Sequence, residues 1–220
     1  MEKIQSSSII ENHLNQHSFA DLFSFDIKPY LSIAKFEPGE AILQEGTAPS
    51  HLYFLFEGRA KLYITQKNGN INLINFLESP CFIGEMELLD STGACHGVTA
   101  LQTCRCFSID VSACRHLLLN DNCFLRNLCR AMSQKTLRDV QNYSRNQTYP
   151  LKTKLAAFIL MTSRNGFYRE RHTETAAYLG VSYRHLLYVL AEFVSEGVLE
   201  KTKSGYHIIH PDTLQSWAEW

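Results

Sequence analysis

The chain has 220 residues, of which 45% are hydrophobic and 20% are charged, and its formal net charge is −1 at pH 7. This composition is typical of a globular protein that buries a core, and it argues against a polycation that binds nucleic acid through bulk charge. The length allows one large domain or two small ones. No apolar run is long enough to span a bilayer, and residues 1–10 lack the features of a secretory signal, so we expect a cytoplasmic protein with no membrane partner.

Residues 1–121 predict a helical lead-in followed by a β-barrel. Residues 1–30 look helical and carry side chains suited to packing, namely Phe19, Leu22, Phe23 and Phe25. From residue 31 onward the pattern changes to short strand-like runs separated by turns rich in Gly, Asn and Glu. These runs are 33–36, 41–44, 52–55, 60–64, 71–77 and two more within 97–109. Many short strands at close spacing are typical of a β-sandwich or a jelly-roll barrel.

The seven cysteines do not predict a disulfide framework, because their number is odd and the expected compartment is the cytosol. Two thiols on one face of a strand, as in Cys104 and Cys106, can bind a metal or oxidise, although such cysteines are more often small buried hydrophobes. We therefore predict no metal site. A thiol-, redox- or metal-responsive protein stays open as an alternative, with Cys81, Cys95, Cys104 and Cys106 as its candidate ligands.

Residues 122–146 predict one long helix, because they contain neither Gly nor Pro. An apolar stripe runs along it through Leu125, Leu128, Met132, Leu137 and Val140. This stripe offers more apolar surface than one domain face needs, which favours a dimer interface along the helix. The alternative is a helix that lies on the barrel.

Residues 172–192 predict two helices joined by a tight turn, the pattern of a helix-turn-helix. A small residue, Ala176, fits where the two helices approach closely, and Gly180 can take a positive φ in the turn at no steric cost. The first helix would begin at about Thr173, acting as its N-cap, and Ser182 would cap the second helix. The alternative is a small helical hairpin inside a larger core.

The residues after this motif predict a wing, in which strands at 199–201 and 206–209 flank a turn. The start of the second helix and the basic residues around it are suited to double-stranded DNA. The candidates are Ser182, Tyr183, Arg184, His185, Tyr188, Lys201, Lys203 and Arg171. Arg184 is the candidate for a base contact, with guanine as the expected base, and the wing lysines are placed for phosphates.

Three segments of the barrel region resemble signatures of the CRP/FNR superfamily of bacterial transcription regulators. Residues 36–46 look like its opening signature, residues 52–58 like the strand and turn that follow, and residues 82–85 like the start of its ligand-phosphate cassette. The order of barrel, long helix and winged helix-turn-helix matches over nearly the whole chain. The residues at 80–85 and 179–190 are similar to the YeiL-type branch of that superfamily.

The resemblance implies an α+β fold in three parts. These are an N-terminal cyclic-nucleotide-binding-like β-barrel (jelly roll) in residues 1–121, a dimerisation helix in 122–146 and a C-terminal winged helix-turn-helix in 147–220. It further implies a homodimer on a palindromic operator, with two reading heads about 34 Å apart, and RNA polymerase as a partner.

The sequence departs from the cyclic-nucleotide-binding members of the family. Those members follow Gly-Glu with an Arg-Ser or Arg-Thr pair about ten residues later, and the Arg neutralises the cyclic phosphate. Here Ala94 and Cys95 stand in those places, and losing a charge-assisted pair costs about 1.5–3 kcal/mol. We therefore predict no cofactor and no tight cAMP binding, and the identity of any small-molecule effector stays open. The candidate pocket residues are Gly84, Glu85, Met86, Cys95 and His96.

Two further departures concern the iron–sulfur branch and the operator. The iron–sulfur branch carries cysteines ahead of the barrel, whereas this chain has none before Cys81. In the second helix, Tyr183, Arg184 and Tyr188 replace the commonest Arg-Glu and Arg of the family. We therefore expect an operator that differs from the common one.

Other functional classes fit the sequence less well. A cupin metalloenzyme needs a His-x-His motif, and His51, His96 and His116 are scattered. A cyclic-nucleotide regulatory subunit without DNA binding does not explain the helix-turn-helix and wing. No Ser/His/Asp order or paired-carboxylate motif is present, so we expect no enzymatic activity.

Overall fold

The computed structural model describes residues 2–4, 7–67, 69, 71–90 and 95–219. The chain divides into two compact units. The first spans residues 1–70 and 74–137, and the second spans residues 71–73 and 138–220. No helix among the described residues is both long enough and apolar enough to cross a membrane.

In the described part of the first unit the strands form two β-sheets. These strands are β1 (Glu2–Ile4), β2 (Leu31–Phe36), β3 (Ala41–Leu43), β4 (His51–Glu57), β5 (Arg59–Thr65), β6 (Ile71–Glu78, whose first three residues belong to the second unit), β7 (Cys81–Ile83), β8 (Gly97–Ala100) and β9 (Cys104–Asp110). One sheet has the order β1-β2-β9-β4-β7 and the other the order β3-β8-β5-β6. The strand pairs whose register is described are antiparallel.

The five-stranded sheet is buried on both faces. Side chains alternate along a strand, so Cys104 and Cys106 of β9 join a core cluster that draws residues from both sheets. Phe107 and Ile109 point the other way, into a second cluster that the helices of this unit cover. The central strand, β9, is therefore buried over most of its length, because both of its faces are covered.

The described α-helices of the first unit are α1 (Ser7–His17), α2 (Glu85–Leu89), α3 (Val111–Asn120) and α4 (Asn122–Thr148), whose later residues belong to the second unit. Two short 3-10 helices, Phe19–Leu22 and Lys28–Tyr30, lie between α1 and β2. Asp110 caps α3 by accepting bonds from the backbone N–H groups of Ser112 and Ala113. Asp121 accepts from the backbone N–H of Cys123 at 2.9 Å and fixes the start of α4.

The second unit is a set of helices with a small sheet. Its further elements are α5 (Leu151–Thr162), β10 (Phe167–Tyr168), α6 (His172–Tyr178), α7 (Tyr183–Ser195), β11 (Leu199–Thr202), β12 (Gly205–Ile208) and α8 (Pro211–Trp217). The sheet order is β10-β12-β11. Its buried core includes Leu155, Phe158, Leu186, Phe193 and Leu214.

The predicted α+β class is confirmed, with differences at the element boundaries. The lead-in is not wholly helical, because residues 2–4 pair with β2. α4 extends to Thr148, two residues beyond the predicted end, and stops where Pro150 disfavours a helical conformation at Tyr149. α6 begins at His172 rather than near Thr173.

The sequence analysis missed the shortest elements. β7 and β10 have three and two residues, too few for a period to be recognised. α8 carried a usable signal, because Pro211 occupies its first turn.

Candidate nucleic-acid interface and effector pocket

The turn between α6 and α7 has the geometry of a helix-turn-helix. Gly180 has a φ of +66°, the left-handed conformation that a glycine adopts without strain. The backbone N–H of Val181 donates to the carbonyl of Ala176 at 3.0 Å, which closes the end of α6. Ala176 is itself buried, as expected where two helices approach closely.

The N-cap of α6 differs from the prediction. Arg171 occupies the cap position and its side chain makes no capping hydrogen bond, while Thr173 lies inside the first turn. At α7 the predicted cap is present, because the Ser182 hydroxyl accepts a hydrogen bond from the His185 backbone N–H at 3.2 Å.

α7 has one buried face and one exposed face. Leu186, Val189, Leu190 and Phe193 are buried in the second unit. Ser182, Tyr183, Arg184, His185 and Tyr188 are exposed, and Tyr188 is 69% accessible. This face therefore presents two aromatic rings, a guanidinium and an imidazole to solvent.

A buried aromatic cluster places the wing beside the helix-turn-helix. The rings of His172 and Tyr206 lie 5.7 Å apart, and those of Tyr168 and Tyr206 lie 6.2 Å apart. The Tyr168 hydroxyl and the Thr175 Oγ1 are 2.8 Å apart. The cluster therefore joins β10, β12 and α6 through side-chain contacts.

The pKa shifts in this cluster identify two neighbours. Burial lowers the pKa of His172, and the nearby charge of Lys201 lowers it further. Burial, followed by the nearby Tyr183 phenol, raises the pKa of Tyr206. The charge of the wing lysine and the phenol at the start of α7 therefore both act on this cluster.

The basic candidates are exposed. Lys201 lies on β11 and Lys203 lies in the turn that follows it. Arg171 is exposed and lies 3.7 Å from a carboxylate oxygen of the buried Glu174. These cations can reach phosphate groups, because neither burial nor a tight ion pair withdraws them from solvent.

The predicted pocket residues differ in how far they are buried. Gly84, with a φ of +91°, links β7 to α2. The side chain of Glu85 is 5% exposed, and its Oε1 lies 2.8 Å from the Nζ of Lys135. Met86 is exposed, and His96 is half-buried.

Cys95 lies in an acidic environment. Its thiol is buried and donates to the His96 carbonyl at 3.4 Å. Burial raises the pKa of Cys95 to about 11, and the charge of Glu87, a hydrogen bond to it and the charge of Glu45 contribute further. Ala94, the other substituted position, lies outside the described residues.

The cysteines do not assemble a metal site. Among the described residues, no group of three or more His, Cys, Asp or Glu side chains could hold a metal ion, and this includes the candidates Cys81, Cys95, Cys104 and Cys106. Burial also raises the pKa of Cys106 well above its usual value, which disfavours the thiolate that metals and oxidants require. The described residues therefore give the cysteine-ligand alternative no support, and the absence of a metal site stays a prediction.

The candidate dimer residues on α4 divide into two groups. Leu125 and Met132 are partly buried against the core of the first unit, whereas Leu137 and Val140 are 64% and 59% exposed. The assignment of Leu128 to an interface is wrong, because it is 1% exposed and packs inside the core.

Lys135 is the residue that the sequence analysis missed. It follows Leu128 by seven residues, so both lie on the same face of α4. A lysine on the core-facing stripe of a helix indicates a buried acid opposite it, and this signal could have been used.

The chain is similar to known proteins in both sequence and fold. Residues 33–121 match the cyclic nucleotide-binding domain family. Regulatory protein YeiL from Escherichia coli O157:H7 is 45% identical over 205 residues, which cover 93% of this chain and 94% of that protein.

Two solved structures share the architecture. A transcriptional regulator of the CRP/FNR family from Thermus thermophilus aligns with a TM-score of 0.64 and 20% identity, covering 84% of this chain and 97% of its own. A second structure assigned to that family, from Eubacterium rectale, aligns with a TM-score of 0.71 and 16% identity, covering 95% of this chain and 97% of its own. At these identities the likeness concerns the fold alone.

Proposed function

The chain belongs to the CRP/FNR superfamily of transcriptional regulators, and from that premise we propose that it is a homodimeric, sequence-specific DNA-binding protein that acts without cAMP. The observation that carries the proposal is the exposed face of α7, where Arg184 stands between Tyr183 and His185 on the first turn of a capped helix. A helix of this kind fits the major groove, with its N-terminal residues at the base edges.

Arg184 is the proposed base contact. An exposed guanidinium presents a planar pair of donors that matches the O6 and N7 acceptors of guanine. Lys201, Lys203 and Arg171 are the proposed phosphate contacts, because they flank this helix on the wing and at the start of α6. The chain has little net charge, so affinity must come from this local placement and from two copies of the surface.

The proposed dimer uses the exposed part of α4. Leu137, Val140 and Tyr143 recur every three residues and leave large apolar side chains in solvent, which a second copy of the helix would cover. Val140→Glu should therefore shift the protein from dimer to monomer in analytical ultracentrifugation. An unchanged dimer would remove this face from the proposal.

The proposed independence from cAMP rests on the surroundings of Cys95. Besides the missing Arg, the carboxylates of Glu87 and Glu45 lie close enough to raise the pKa of the Cys95 thiol, and they would repel a cyclic phosphate. Loss of the Arg alone weakens binding roughly 10- to 100-fold. Titration calorimetry should detect no cAMP binding at micromolar concentrations, and a micromolar affinity would contradict the proposal.

The experiment that tests DNA binding is selection of genomic fragments by the purified full-length protein. Wild type should enrich fragments that share a palindrome with half-sites one helical turn apart, whereas Arg184→Ala should enrich a relaxed motif. Enrichment of unrelated sequences by wild type would contradict a specific regulator. RNA polymerase as a partner, a cytoplasmic location and the lack of enzymatic activity follow from this proposed function.

A further inference from the structure

We propose that the Glu85–Lys135 ion pair holds the last barrel-bound turn of α4 in place and so fixes, without a bound ligand, the point at which this helix leaves the barrel. The pair lies entirely within the first unit. Its acid opens α2, and its base comes from α4, fifty residues later in the chain.

Bulk water cannot solvate the carboxylate of Glu85. The Glu85 side chain is only 5% exposed, and an ionised carboxylate at such a position needs a counter-charge or several donors. Lys135 supplies the counter-charge at 2.8 Å, and its own side chain is 27% exposed. The two partners are unequal, because a lysine with this exposure can turn its ammonium group to solvent whereas the carboxylate cannot.

The position of the pair along α4 gives it a mechanical role. Phe124 and Leu128 anchor the start of the helix in the apolar core, and Met132 is the last residue of α4 in that core cluster. Lys135 follows one turn later, and the boundary between the two units falls after Leu137. The ion pair thus extends the attachment of α4 by one turn, up to the boundary.

The two partners of this ion pair depend on each other unequally. Removing Lys135 leaves an uncompensated buried charge at Glu85, whereas replacing both partners is close to neutral. Salt screens the buried carboxylate weakly, since screening acts mainly on charges that face solvent. The turn around Lys135 should therefore loosen when Lys135 alone is removed, and it should be restored when Glu85 is replaced as well.

The consequence for DNA binding rests on the proposed function. If α4 pairs two copies of the chain, the turn held by Lys135 leads directly into the exposed residues Leu137 and Val140 of the proposed interface. Release of that turn should weaken the dimer, and with it the affinity for an operator that needs two reading heads.

Hydrogen–deuterium exchange of the full-length protein tests the ion pair itself. Lys135→Met should raise the exchange rate of backbone amides in residues 130–137 about 10-fold or more, because the buried carboxylate then favours the open state. Glu85→Gln should have a smaller effect, since Lys135 can reach solvent. The double variant should return to within about 3-fold of wild type.

Two matched variants separate charge from packing. Arg130→Met removes an exposed cation from the same helix and should leave exchange unchanged. Lys135→Arg keeps the charge and should retain most of the protection, even if Lys135→Met proves too unstable to purify. The proposal is overturned if Lys135→Met exchanges like Arg130→Met, or if the double variant is no better protected than Lys135→Met.

Operator binding by fluorescence anisotropy, without added nucleotide, tests the functional consequence. Lys135→Met should bind the selected operator about 10-fold more weakly than Arg130→Met does. Equal affinities would overturn the link between the ion pair and DNA binding. Failure of wild type to bind any sequence would instead overturn the proposed function, and the exchange experiment would still decide the role of the ion pair.

Discussion

The proposed DNA-reading surface and the region around Glu85 are built in opposite ways. The reading surface takes its main residues from one short segment, Ser182 to Tyr188, and a single helix presents them to solvent. The region around Glu85 combines residues from α2, from α4 and from the segment at Cys95, and most of them are buried. The first surface offers charges to a partner, whereas the second neutralises its charge internally.

This difference explains how a single substitution can affect the two regions unequally. When one helix supplies neighbouring contact residues, their positions are kept as long as the buried face of that helix packs. The position of Arg184 thus depends on the packing of Leu186, Val189 and Leu190. A pocket assembled from distant segments changes character when one residue changes. Here the carboxylates of Glu87 and Glu45 act on the Cys95 thiol, so residues from other segments set its environment.

The largest expected contrast is in thiol reactivity. Because the pKa of Cys95 is about 11, its thiolate fraction at pH 8 should be several hundred-fold below that of an ordinary thiol with a pKa of about 8.5. Cys129 is exposed on α4. Iodoacetamide labelling followed by mass spectrometry should modify Cys129 first, and comparable rates at the two sites would favour a redox-sensing barrel.

A backbone change in the wing should be the next largest effect. Gly205 has a φ of +137°, and an added Cβ would lie 2.2 Å from the carbonyl oxygen of Tyr168. Gly205→Ala should therefore lower the free energy of unfolding by about 3 kcal/mol in a urea titration. Gly197→Ala is the control, because its Cβ meets nothing within 4 Å and only the strain of a positive φ, about 1 kcal/mol, remains. Equal losses would mean that the wing tolerates the clash by moving.

Substitutions at the proposed DNA contacts should distinguish base recognition from phosphate binding. Arg184→Ala should cost about 1–3 kcal/mol on the selected operator and relax preference at one base pair per half-site. Lys201→Ala should weaken all sequences alike and reduce the slope of log affinity against log salt by about 1. Anisotropy titrations on operator and scrambled DNA measure both effects. Uniform weakening by Arg184→Ala would reassign it to a phosphate.

The smallest expected effect is a pH dependence of stability through His172. Its folded pKa lies below the unfolded value of about 6.5, so the unfolded chain binds more protons. Stability should therefore be full above about pH 6.5 and fall as the pH drops from there toward the folded pKa. Urea titrations of wild type and His172→Gln should converge at acidic pH, and a gap that widens on acidification would contradict this.

More of the proposed reading surface than of the barrel could be predicted from the sequence, for physical reasons. Ser182, Gly180 and Ala176 each carry a local requirement, namely a cap, a positive φ and a close approach, and local requirements are visible in the order of residues. Most strands of the barrel were visible as alternating runs whose ends shifted by one or two residues, whereas the three-residue strands β1 and β7 were not predicted.

The features that could not be predicted depend on contacts between residues that are far apart in the sequence. No residue near Glu85 in the sequence indicates that Lys135 pairs with it. Likewise, no residue near Cys95 indicates that the charge of Glu45 acts on its thiol. Leu128 was misplaced because an apolar stripe on a helix does not say which part faces the core and which faces a second copy. Tertiary packing decides these cases.

In the proposed function, a pair of α7 helices reads DNA without needing cAMP. The most direct test is a footprint of the purified wild-type protein on its selected operator, with and without millimolar cAMP. We predict two protected half-sites about 34 Å apart and the same affinity in both conditions. Protection that appears only with cAMP, or protection with no sequence preference, would contradict the account.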